Sequence, residues 1–167
     1  GHDAQPSAPL AGRDAQDLLG QAEQMVGAHA QGQRPFRLQH AECLHQQVVQ
    51  LCEARFPEVV ATQPEVVARH CTAAGQDEAA LGYWQRAGQR AIQGSAHAEA
   101  VAHLTQGLAV LTTLPETPAR LQQELDLQVA LGPALRATKG QAAPDVERAY
   151  TRARALCAQL GDTPQLF

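Results

Sequence analysis

From Phe36 to Leu160 the apolar residues recur at three- and four-residue spacing, and nothing alternates at period two. Between Phe36 and Phe56 the stripe is Leu38, Ala41, Leu44, Val48, Leu51, Cys52 and the stem of Arg55, and Pro57 closes the helix. Thr62 and Glu65 have capping-box spacing, which predicts a helix through Val66, Val67 and His70 to Ala74, stopped by Gly75. Asp77 starts the next, with Ala80, Tyr83, Trp84, Ala87 and Ala91 inward and an end near Gly94. Ser95 reads as the N-cap of a helix whose stripe is Ala98, Val101, Leu104, Leu108 and Leu111. Thr117-Pro118 opens a long helix carrying Leu121, Leu125, Val129, Leu131 and Leu135, ended by Gly140. Pro144 begins the last, with Val146, Tyr150, Ala153 and Leu156 inward and Gly161 after it. The fold class is all-α.

Upstream the pattern is weaker. Gly1-His2 reads as the remnant of a cleaved affinity tag, and residues 1–12 as that remnant plus a flexible lead-in. Residues 13–35 are expected to hold an N-terminal helix and linker, with a helix from about Asp14 to Ala28 that Gly20, Gly27 and Gly32 weaken. The repeat domain is expected over 36–167, continuing past its last residue.

Small residues fall where two helices must touch. The tetratricopeptide pattern is W-x₂-L-G-x₂-Y, then A-x₃-F, then P. Here Trp84-x₂-Ala87-Gly88-x₂-Ala91 is followed by Ala100-x₃-Leu104, with Gly107 at the next small position. A weaker copy reads Leu131-Gly132-x₂-Leu135, then Val146-x₃-Tyr150-x₂-Ala153, with two extra residues in the turn. The register has two readings, since Ala80-x₃-Trp84-x₂-Ala87 also fits the second helix of a preceding hairpin. Either gives antiparallel helical hairpins stacked as a short tetratricopeptide-like solenoid. An ordinary helical bundle is the plain alternative.

Composition agrees with helices: 44% of residues are hydrophobic but only 4% aromatic, which suits close Ala/Leu packing better than a β-sandwich. A net charge of −4 argues against a nucleic-acid surface. No apolar run approaches the roughly 20 residues that span a bilayer, and no signal peptide is visible. Cys43, Cys52, Cys71 and Cys157 form no C-x-x-C pair and read as small buried hydrophobes in a cytoplasmic protein.

Candidate chemistry is sparse. His40, Cys43, His45 and Cys52 form the densest cluster, but His45 falls on another face from His40 and Cys43, and zinc needs four convergent ligands. His70 and Cys71 are neighbours that face apart, so a nucleophile–base pair is not expected. Ser95 and His97 lack any G-x-S-x-G context. Ala137-Thr138-Lys139-Gly140 lacks the spacing of a phosphate loop and reads as a helix C-terminus. We expect no enzyme, no cofactor and no metal site.

The stretch from Leu44 to Phe167 resembles the tetratricopeptide-like region of large bacterial signalling ATPases. Those proteins join a class III adenylate/guanylate cyclase or DNA-binding domain to a STAND-type ATPase and helical repeats. The words that carry the resemblance are YWQRAGQRA, LPETPAR, LGPALRATKG and CAQLGDTPQLF. It implies a regulatory protein-interaction module whose partner is a protein, a peptide or another domain of its parent, with no nucleic acid and no membrane. Candidate partner-binding residues are Gln85, Gln89 and Gln128 on inner helix positions, with Arg86, Arg90, Arg148 and Arg152 as charged docking positions. Glu147 and Arg154 share the charged face of Arg148 and Arg152. The alternatives are a structural spacer or dimerisation arm, and a domain that senses a small effector. The oligomeric state is open, a dimer included.

Overall fold

The computed structural model describes residues 34–161, with side chains from residue 40 onward. The expected helix at Asp14–Ala28 and residues 162–167 lie outside the described residues. The described chain is helical: α1 (Arg34–Arg55), α2 (Pro57–Thr62), α3 (Pro64–Ala73), α4 (Asp77–Gln93), α5 (His97–Leu111), α6 (Pro118–Lys139) and α7 (Pro144–Leu160). Among the described residues there is no strand.

Local chemistry sets most boundaries. Proline opens α2, α3, α6 and α7, where its missing N–H is no loss and its fixed φ favours the first turn. Thr117 caps α6 by accepting from the Arg120 N–H at 3.2 Å. Gly75 ends α3 in the left-handed region at φ 68°, with its own N–H on Thr72 O and the Gln76 N–H on Cys71 O. Ser95 repeats that arrangement at the end of α4 with φ 58°, its N–H on Ile92 O and the Ala96 N–H on Ala91 O.

Two expected caps are therefore corrected. Ser95 closes α4 rather than opening α5, whose N-cap is Ala96 with no side-chain bond. Thr62 does not form a capping box with Glu65. It ends α2, its hydroxyl donating back to Glu58 O at 2.6 Å, and Gln63 stands at the N-cap of α3. Pro57 and Pro64 split this stretch into two short helices, which moves Thr62 to the wrong side of the boundary.

Packing follows chain order. From α3 onward each helix lies chiefly against the next, and α1 covers α3. Trp84 is buried at the junction of three helices: Nε1 donates to Thr72 Oγ1 of α3 at 3.1 Å, and the ring stacks on His103 of α5 at 5.7 Å. Leu81, Leu104, Leu111, Leu127 and Leu156 fill the interior, with Ala80, Ala87, Ala100, Ala134 and Ala153 where helices approach.

Four residues expected inward are exposed: Leu51, Ala98, Val129 and Tyr150. On α1 it is Val49 and Cys52 that enter the core, so the buried face is turned away from Leu51. On α5 the buried positions are Ala100, Leu104, Gly107, Val110 and Leu111, which leaves Ala98 outside. Val129 and Tyr150 line a notch formed by α6 and α7 alone, where no further helix of the described chain covers them. Tyr150 nonetheless lays its ring against Gly132.

Candidate functional site

Two grooves hold most of the residues singled out in the sequence. The first, of about 450 Å³, runs between α4 and the α2–α3 corner. Arg86, Gln89, Arg90 and Gln93 fall on one face of α4 at helical spacing, opposite Pro57, Val60, Ala61 and Pro64. Arg86 is braced by an Nε bond to Gly82 O at 3.3 Å, with its guanidinium 4.3 Å above the Tyr83 ring. Arg90 Nη1 reaches across to Ala61 O at 3.3 Å.

The second groove, of about 410 Å³, lies among α5, α6 and α7. Val101, Leu131, Leu135 and Ala149 make its apolar floor; Gln128, Lys139, Arg148 and Arg152 stand on its rim. Its cations are already engaged. Arg152 forms a two-pronged bridge to Glu124, Nε to Oε1 at 2.6 Å and Nη2 to Oε2 at 2.9 Å. Glu124 is buried, and its hydrogen bond holds the Arg152 guanidinium above its ordinary range. Arg152 thus ties α7 to α6. Asp145 accepts from both Lys139 and Arg148, and the Lys139 hydrogen bond above all keeps its carboxyl below the usual range.

The sequence candidates are thereby divided between two sites. Arg86, Gln89 and Arg90 share the first groove; Gln128, Arg148 and Arg152 share the second; Gln85 is half-buried on α4 and lines neither. Gln93, Glu124 and Asp145 were not singled out, and Lys139 only as part of a helix C-terminus. Glu124 carried no signal, because its partner lies 28 residues away. Asp145 had one: it stands between Lys139 and Arg148, three residues from the latter.

A third cluster joins α1, α3 and α4. Tyr83 donates to Glu53 Oε1 at 2.7 Å, and burial, helped by that bond, pushes its hydroxyl up to about 12. His45 and His70, left unrelated by the sequence, meet with Nδ1 atoms 2.7 Å apart. Cys71 is buried and pushed up to about 11, by burial first and then by the Glu53 charge. The cysteines do not all behave as buried hydrophobes. Cys52 and Cys71 do, Cys157 is half-buried, and Cys43 is exposed.

Among the described residues, no group of three or more His, Cys, Asp or Glu side chains is placed to hold a metal ion. The Nδ1 of His97 is buried without a hydrogen-bond partner among the described residues. No described helix is long and apolar enough to cross a membrane.

No family model, curated protein or solved structure matches the chain. The functional reading therefore rests on the two grooves and their charges. Both combine an apolar wall with long polar side chains.

Proposed function

We propose that this chain is a non-catalytic protein-interaction module, a short solenoid of helical hairpins that holds an extended partner segment in its interhelical grooves. The observation that carries the reading is the pairing of apolar wall with Gln and Arg rim in both grooves. The repeat character is supported by one contact made twice. Gly88 of α4 lies against Leu104 of α5, and Gly132 of α6 lies against Tyr150 of α7, at corresponding places in the two hairpins. Packing that runs from each helix to the next supports it too, since solenoid repeats touch mainly their neighbours.

With the resemblance to the helical repeats of bacterial signalling ATPases and cyclases, the module takes a regulatory role in the cytoplasm. It binds a protein, or another domain of its parent, and passes the bound state to an output domain. A display selection of random peptides on the purified chain tests this. We expect an enriched sequence class whose binding is lost in Gln89→Ala/Arg90→Ala or in Gln128→Ala/Arg148→Ala. No enrichment, or binding indifferent to both variants, overturns it.

The exposed pair Val129 and Tyr150 favours a second reading, a dimerisation arm joined through the α6–α7 face. Sedimentation equilibrium of the chain and of Val129→Glu distinguishes the two. A dimer that the substitution dissociates selects the arm.

A further inference from the structure

The two grooves differ in one respect that their sequences conceal. In the α5–α7 groove every arginine has its carboxylate: Arg148 has Asp145 and Arg152 has Glu124. In the α2–α4 groove neither arginine has one among the described residues. Arg86 bonds a backbone carbonyl and covers a tyrosine ring, and Arg90 bonds a backbone carbonyl. None of the described residues lining that groove is acidic. Two arginines one turn apart, without an ion-pair partner among the described residues, stand out in a chain of net charge −4.

From this charge pattern we propose that the α2–α4 groove is the docking site for an acidic, apolar segment of a partner protein. The proposal rests on the interaction-module reading and adds the partner's chemistry and its place. Arg86 and Arg90 receive the carboxylates, and the wall of Pro57, Val60, Ala61 and Pro64 takes the apolar side chains between them. The arginines are prepared for this. Their backbone bonds and the Tyr83 ring fix the stems, while the outer guanidinium N–H groups of Arg86 remain to grip a carboxylate in the two-pronged manner. Gln89 and Gln93, on the same face of α4, supply donors and acceptors for the segment's backbone. Pro57 and Pro64 carry no N–H, so the opposite wall offers shape and apolar surface. A nucleic acid fits less well, because two cations neutralise little of a phosphate chain and no aromatic side chain among the described residues lines the groove for base stacking.

The test is fluorescence anisotropy with the full chain and labelled synthetic peptides of alternating Glu and Leu, against equal-length Lys/Leu and Gln/Leu peptides and an oligothymidylate. We expect the Glu/Leu peptide to bind and to weaken with added salt. Arg86→Gln/Arg90→Gln should lose about tenfold or more in affinity, consistent with two charge-assisted contacts. Arg136→Gln, an exposed charge that lines neither groove, should leave binding unchanged, and Arg86→Lys/Arg90→Lys should recover part of it. Circular dichroism of the double variant matching wild type secures the comparison, both side chains being exposed.

Preference for the Lys/Leu or Gln/Leu peptide, or acidic-peptide binding that only Arg148→Gln removes, overturns this inference while the interaction module stands. Preference for the oligothymidylate overturns it in favour of nucleic acid. Self-association of the wild-type chain that Arg86→Gln/Arg90→Gln abolishes gives the groove to a second copy, and overturns it as well. Binding of no probe overturns this inference, and the interaction module then stands or falls with the peptide selection.

Discussion

Gly88 sits so close to Leu104 that a Cβ at position 88 would lie 2.5 Å from Leu104 Cδ2. Leu104 is fully buried, so its side chain has little room to yield. Gly82, on the same helix, has nothing within 4 Å of its Cβ position. Gly88→Ala should therefore destabilise the chain by about 1–3 kcal/mol through overpacking. Gly82→Ala should stabilise it by roughly 0.5–1 kcal/mol, by removing helix-interior backbone entropy. Urea unfolding followed by circular dichroism measures both, and equal effects at the two sites would refute the close approach of α4 and α5.

Ser95 holds a left-handed conformation, which costs a residue bearing a Cβ and costs glycine nothing. Ser95→Gly is expected to raise stability by about 0.5–1 kcal/mol, the relief of strain being partly offset by unfolded-chain entropy. Gly75→Ala, at the matching position after α3, should lower it by a similar amount. Thermal unfolding of the two variants gives opposite shifts in Tm if the turns are equivalent.

Tyr83 gives the fold an alkaline limit. Its hydroxyl ionises at about 12 in the folded chain, against 10 as its ordinary value, mainly because of burial and then its bond to Glu53. The folded state keeps the proton longer than the unfolded one, so this stabilisation is complete below pH 10. It is lost as the pH rises from about 10 to about 12. Tyr83→Phe should lack that component, and its stability difference from wild type should shrink across the window. The step in tyrosinate absorbance near pH 12 that belongs to Tyr83 should disappear with the substitution, leaving the absorbance of Tyr150.

Thiol reactivity should rank by exposure. Cys43 is exposed, whereas Cys71 is fully buried and pushed up to about 11. Iodoacetamide at neutral pH should label Cys43 first and Cys157 more slowly. Cys52 and Cys71 should react only after denaturant is added. Peptide mapping by mass spectrometry reads the order, and early labelling of Cys71 would contradict the packing of α1 over α3.

Helix existence and most boundaries were legible because they depend on nearby atoms. A proline at N1, a threonine before it or a left-handed glycine acts within one turn, so Thr117-Pro118, Pro144, Gly75 and Gly140 could be read directly. The two missed caps show the limit of that locality. Thr62 and Ser95 are good capping residues, but both stand at junctions where one helix ends as the next begins, and composition does not say which helix they serve. Gly88 with Leu104 and Gly132 with Tyr150 were also visible as small and large residues at helical intervals.

By itself the sequence determined an all-helical chain, its punctuation and the small residues at which its helices meet, since periodicity and backbone chemistry are properties of short segments. Only the tertiary structure decided which stripes are covered, leaving Leu51 and Val129 exposed while Val49 and Glu124 are buried. It also decided which arginines are neutralised. Arg152 meets a carboxylate 28 residues earlier in the chain, whereas Arg86 and Arg90 meet none among the described residues. The reason is physical: a helical pattern fixes the angle at which a side chain leaves its own helix, and the charge or surface waiting there belongs to another.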